Sequence, residues 1–149
     1  MKACEARVVK RRLEMIPDLY ALAKEKDKES MSLQDLYIRT ATPGAIPLEA
    51  KPPTTSPADS SSRYNEIFSD QLEADRKAAE YRAEAKRASN FITSLEPEKA
   101  SVLADVFIRG KRHTEVAKSR RVTPDCIRKQ IERAIEDAPA EIARACGLL

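Results

Sequence analysis

Apolar residues return every three to four positions along most of this chain, the period of a helix that buries one side. Across residues 2–28 the stripe is Val8, Val9, Leu13, Ile16, Leu19, Tyr20 and Leu22. Pro17 falls inside it. A proline removes one helical hydrogen bond and crowds the preceding turn, so a kink, or two helices meeting there, is predicted. A longer pattern starts at about Ser61 or Ser62, where Ile67, Gln71, Ala74, Ala78, Tyr81, Ala85, Ala88, Ile92 and Leu95 alternate spacings of four and three. That is a heptad seam with small residues at its centre, which lets a partner helix approach closely. The favoured mate is the N-terminal stripe, folded back as a hairpin within the chain; the alternative is the same helix of a second subunit.

Three short helices are predicted between Glu96 and Asp137. Pro97 opens the first, on which Leu103, Val106 and Phe107 share a face with Val102 at its edge, and Gly110 stops it. The segment HTEVAKS gives barely two turns, with Val116 and Ala117 inward. The third start is marked most sharply. Thr123 offers a hydroxyl acceptor at the cap, Pro124 a pre-set φ at the first helical position, and Asp125 a carboxylate at the positive end of the helix dipole. Ile127, Ile131, Ala134 and Ile135 then form one apolar stripe, leaving Asp125, Arg128, Lys129 and Glu132 opposite. A short helix, a tight turn and a capped helix in this order read as a helix-turn-helix.

The pattern stops between Thr40 and Ser62, where Pro43, Pro47, Pro52, Pro53 and Pro57 accompany Gly44 and a run of serines. Too few apolar residues stand there to offset the entropy of ordering, so the stretch reads as a linker. The chain is therefore expected to be all-α. Its segments are an N-terminal helical region (1–39), a Pro/Ser-rich linker (40–62), a long helix (63–95), a three-helix unit (96–138) and a short helical tail (139–149). In that tail Ile142, Leu148 and Leu149 either cap the core or join a dimer.

Charge changes the picture at one place. From Phe107 to Ile135 nine Lys or Arg stand against three acids, a balance of 9 − 3 = +6, while the whole chain carries only +3. A basic excess concentrated on a helix-turn-helix is the footprint of phosphate binding. The third helix would then enter the major groove of double-stranded DNA, with Arg128 and Lys129 nearest the base edges. Lys118, Arg120, Arg121 and Arg133 would lie along the backbone, with Lys111, Arg112 and Thr123 also on the DNA-facing side. Asp125 either accepts from a cytosine or, the preferred reading, only favours the helix start. The run VVKRRLE near the N-terminus is read as a solvated helix face rather than a basic arm.

Other chemistry is sparse. His113 is the only histidine, and no nucleophile triad, carboxylate pair, glycine-rich phosphate loop or metal-ligand spacing accompanies it, so neither an enzyme nor a bound metal or cofactor is expected. Cys4, Cys126 and Cys146 are scattered, as in a reducing cytoplasm. No apolar run approaches the length of a membrane span. Aromatic residues make up 5% of the chain and charged residues 34%, so the core is thin and the 96–138 unit needs other helices or a second subunit to cover it.

The segment FIRGKRHTEVAKSRRVTPDCIRKQIERAI resembles the helix-turn-helix of the C-terminal promoter-reading region of sigma factors. Glu115-Val116-Ala117, Thr123, Ile127 and Arg133-Ala134-Ile135 fall on that pattern. Together with the N-terminal helix, the proline-rich connection, the long charged helix and the phrase FITSLEPEKASVLADVFIRG, the chain looks like the small phage and prophage regulators of the RinA and ArpU type. That resemblance implies a sequence-specific regulator, an activator of late phage genes, acting on DNA at the bacterial nucleoid; bacterial RNA polymerase, and a second subunit through the long helix, are candidate partners that the sequence does not decide. Where those relatives have Leu-Gly in the turn this chain has Arg120-Arg121, which puts a side chain at a left-handed position. Arg112 stands where a Ser or Thr caps the middle helix, leaving Thr114 as the substitute. A small terminase-like packaging subunit and a helical protein adaptor are the competing readings.

Overall fold

Proline sets the first break in the chain. Helix α1 (Ala3–Glu14) ends at Met15, and α2 (Ile16–Ala41) starts at once, with Pro17 in its first turn. There its missing N–H is one that no helix bonds, so the proline begins a helix instead of kinking one. The computed structural model describes residues 1–41 and 57–149; it is all-helical, with seven α-helices and no strand among those residues. After α2 come α3 (Pro57–Thr93), α4 (Pro97–Leu103) continued by a π-helical turn (Ala104–Ile108), α5 (His113–Arg120), α6 (Pro124–Glu136) and α7 (Ala140–Ala145). The stretch read as a linker is helical at both ends, since α2 reaches Ala41 and α3 begins at Pro57 rather than at Ser61 or Ser62. Proline suits a first helical position, which explains the earlier start. The remaining linker residues, 42–56, lie outside those described.

The chain divides into two compact units, residues 22–81 and residues 1–21 with 82–149. The first of these is an antiparallel helical hairpin. At one end the Tyr64 hydroxyl donates to the Thr40 carbonyl, and Tyr37 meets Tyr64 edge-on with ring centroids 6.0 Å apart. Further along, Lys26, Glu29 and Leu33 of α2 line the same cleft as Asp70, Glu73, Ala74 and Lys77 of α3. Ala23 and Ser30 are buried there with Ile67, Ala74 and Ala78, so the small residues of the seam meet a partner within the chain.

In the other unit α1, the start of α2 and the end of α3 enclose the short helices. Its core holds Val9, Leu13 and Ile16, Phe91 and Ile92, Leu103, Val116, and Ile127, Ile131 and Ile135, all at 2% exposure or less. The N-terminal stripe is narrower than its sequence suggests, because Val8, Tyr20 and Leu22 are between 41% and 47% exposed. Only Val9, Leu13, Ile16 and Leu19 stay on the inner line, and Ala6 and Ala23 extend it. Leu148 and Ala143 of the tail join the core while Leu149 stays exposed. On the first of the short helices the expected face is rotated. Val102 is buried with Leu103 and Phe107, but Val106 is only half-buried. The π turn is the cause, since its wider ring shifts every later side chain around the axis and carries Asp105 inward.

Candidate functional site

Helix α6 is built as its sequence predicts. Thr123 has extended backbone, and its hydroxyl accepts from the Cys126 N–H at 3.3 Å. Ile127, Ile131, Ala134 and Ile135 are buried, whereas Asp125, Arg128, Lys129, Gln130 and Arg133 are exposed and Glu132 is half-buried. Burial of one stripe fixes the helix on the core and leaves its other side to solvent. Among the described residues no hydrogen bond or ion pair occupies the side chains of Arg128, Lys129 or Arg133. Three unengaged cations on one amphipathic helix form a surface for anions.

Helix α5 precedes it across a tight turn. Val116 and Ala117 are buried, as expected, and Lys118 is exposed. The helix closes with paired bonds from the Arg121 N–H to the Lys118 carbonyl and from the Val122 N–H to the Ala117 carbonyl, at 3.3 and 3.0 Å. This closure requires a left-handed residue just past the end, and Arg121 fills it with φ 56° and ψ 41°. It is the one non-glycine residue with positive φ among those described. The side chain thus stands at the turn, exposed, on a backbone that glycine would adopt more cheaply. At the other end Arg112 is the cap residue, and the Glu115 carboxylate, not Thr114, accepts from its N–H at 3.2 Å. Arginine has no acceptor of its own, so Glu115 supplies the whole side-chain contribution to this cap.

Asp105 organises the cations that the sequence had placed on one surface. The π turn buries it to 7% exposure, and three bases converge on its carboxylate. Lys111 Nζ lies 2.9 Å from Oδ1, Arg109 Nη1 lies 2.7 Å from the same atom, and Arg120 Nη2 lies 3.4 Å from Oδ2. Lys111 foremost, then Arg109 and Arg120, hold the carboxyl at about 2, against burial that pulls it upward. Arg120 also donates to the Ser101 hydroxyl at 2.6 Å. Its guanidinium is therefore engaged within the protein by Asp105 and Ser101, while the side chain stays 30% exposed. Lys111 shares one donor with Asp105 but stays 42% exposed at its side chain.

The predicted residues consequently fall into three groups. Arg128, Lys129 and Arg133 lie on the open side of α6, with Asp125 beside its start. Lys118, Arg121 and Arg112 surround α5 and its turn, all exposed. Thr123 is occupied as the cap, and Arg120 and Lys111 belong to the Asp105 cluster. Sequence reading missed Asp105 and Ser101; the Asp105–Arg109 spacing of one helical turn was the available signal. His113 begins α5 and is exposed. No group of His, Cys, Asp and Glu among the described residues could hold a metal ion, and no helix among them is long and apolar enough to cross a membrane. Cys126 and Cys146 are half-buried free thiols, and Cys4 is exposed. Compared with known protein families, with curated proteins and with solved structures, the chain matches none.

Proposed function

We propose that α4 to α6 form a helix-turn-helix that binds double-stranded DNA, and that the protein is a sequence-specific transcriptional regulator. The observation that carries this reading is the open side of α6, where Arg128, Lys129 and Arg133 are exposed and unengaged while the opposite stripe is fully packed. An α-helix of this kind fits the major groove, about 12 Å wide, with the first turns reaching deepest. Arg128 is suited to paired bonds with guanine, Lys129 to a nearby base or phosphate, and Arg133, Lys118, Arg121 and Arg112 to the backbone. Thr123 and Asp125 set the helix start, and Arg120 supports the turn from within. Binding, not catalysis, is the proposed role, and it calls for no cofactor.

Regulation of late phage or prophage genes and residence at the bacterial nucleoid are proposed on the resemblance, whose motif-level matches begin at Phe91; RNA polymerase, and a second copy through the long helix, are proposed as partners of such a regulator. The test is a mobility shift of labelled duplex, using DNA that flanks the gene, over a series of salt concentrations. A specific site bound with a steep salt dependence is expected. Absence of any shift at low salt would leave the adaptor reading instead, and a stable ring of many subunits in solution would favour DNA packaging.

A further inference from the structure

We infer that α1 is a second DNA-contacting element, in which Arg7, Lys10 and Arg11 form a cationic strip that takes the phosphates bordering the groove entered by α6. The inference rests on the DNA-binding reading and extends it to a helix outside the helix-turn-helix.

Helix α1 packs along α6 in the opposite direction. The Met1 ammonium donates to the carbonyls of Glu136 and Ala138 at 2.6 and 3.2 Å, past the last turn of α6. Ala3, Ala6 and Arg7 share a cleft with Ile135 and Glu136, and Lys10 Nζ reaches Glu132 at 3.6 Å. Each turn of α1 therefore advances toward the start of α6, the end that enters the groove first.

The cations of α1 are divided between its two flanks. On the side of α7 the one cation, Arg12, is consumed, donating to the Gly147 carbonyl at 3.0 Å, and Glu5 of α1 is met by Arg144 of α7 at 3.2 Å. On the side of α6, Arg7 and Arg11 are exposed, and among the described residues neither has a hydrogen-bond or ion-pair partner. Lys10 pairs with Glu132, one turn beyond Arg128 on the same flank of α6. That pairing screens the acid nearest Lys10, while Glu136 stays exposed at the far end of the same cleft.

Geometry then assigns the occupant. Packed helices lie about 8–10 Å apart, and half the width of the major groove is roughly 6 Å. With α6 along the groove, the axis of a neighbouring helix falls beyond the groove wall, over the sugar-phosphate strand. A helix with free arginines at that position meets phosphates, not bases.

The experiment measures the salt dependence of duplex binding by the full chain and by the double variant Arg7→Gln/Arg11→Gln. Each neutralised phosphate contributes about 0.9 to the slope of log K against log salt, so the double variant should lose about 1.8. Its sequence preference should stay that of the wild type, and Arg7→Lys/Arg11→Lys should restore most of the slope. Thermal melting of both variants controls for folding, since both side chains are exposed. If the wild type binds DNA and the glutamine variant keeps its full slope, the α1 strip is overturned while the helix-turn-helix reading stands. If the wild type shifts no duplex at all, both are overturned.

Discussion

Asp105 and Arg120 meet 3.4 Å apart although 15 residues separate them, so a carboxylate carried inward by the π turn grips the last turn of α5. With Arg109 and Lys111 also on that carboxylate, the connection leading into α5 and the last residue of α5 are tied to one buried group. The carboxyl is held at about 2, below its ordinary value of 3.8. A depressed acid stabilises the fold above its unfolded value, and the contribution disappears as the pH falls toward the folded value. The wild type should therefore exceed Asp105→Asn in stability by on the order of 1 to 2 kcal/mol at neutral pH. That gap should close between pH 4 and pH 2, as read from thermal midpoints of the two proteins across the acid range. A gap that stayed constant to pH 2 would show that the charge of Asp105 is not what holds α5.

Thr123 gives a sharper local test. Its hydroxyl accepts from the Cys126 N–H at the exposed start of α6, beside the bond that the same N–H makes to the Thr123 carbonyl at 3.0 Å. Thr123→Ala should lower stability by about 1 kcal/mol, and Thr123→Asp should retain most of it, because either an hydroxyl or a carboxylate caps this position. Chemical denaturation of the three proteins measures the order.

How well these elements could be read from the sequence follows from the range of the interactions that shape them. The capped start of α6 and its four-residue apolar stripe are local, set by Thr123-Pro124 and by the helical period, and both are where the pattern put them. The break before Pro17 is local for the same reason. For Asp105 the pattern offers only its one-turn spacing from Arg109, because its burial depends on a π turn that no single residue announces, and on Arg120 arriving from the far end of another helix. The pairing of Arg120 with Asp105 has the same origin, and charge counting alone does not separate it from Lys118. The N-terminal stripe is narrower than its period suggests because Val8 and Tyr20 sit one position off a line that only packing defines.

The left-handed Arg121 sets stability against binding. A non-glycine residue there costs on the order of 1 kcal/mol, part of which a glycine would return through greater freedom of the unfolded chain. Arg121→Gly should thus raise stability by roughly 0.5 kcal/mol while weakening DNA affinity several-fold, since an exposed cation is lost at the turn. Paired thermal melts and binding isotherms decide it. Unchanged affinity in the stabilised variant would make Arg121 a surface residue with no part in recognition.

Arg128 and Lys118 should separate the two kinds of contact that the proposed interface requires. Arg128 projects from the second turn of α6, where a side chain reaches base edges, and its guanidinium can hold two acceptors of a guanine at once. Replacing it by alanine should cost about 1 to 3 kcal/mol on the preferred site, and far less on other sequences, so that discrimination between them shrinks. Lys118 lies on α5, whose place in such a unit is across the backbone. Lys118→Ala should weaken every duplex alike and reduce the salt slope by about 1, leaving preference intact. Binding isotherms for both variants on a preferred and a scrambled duplex, each at several salt concentrations, give the four numbers needed. If Arg128→Ala behaved as Lys118→Ala is expected to, α6 would be holding the backbone, and sequence would have to be read by another element.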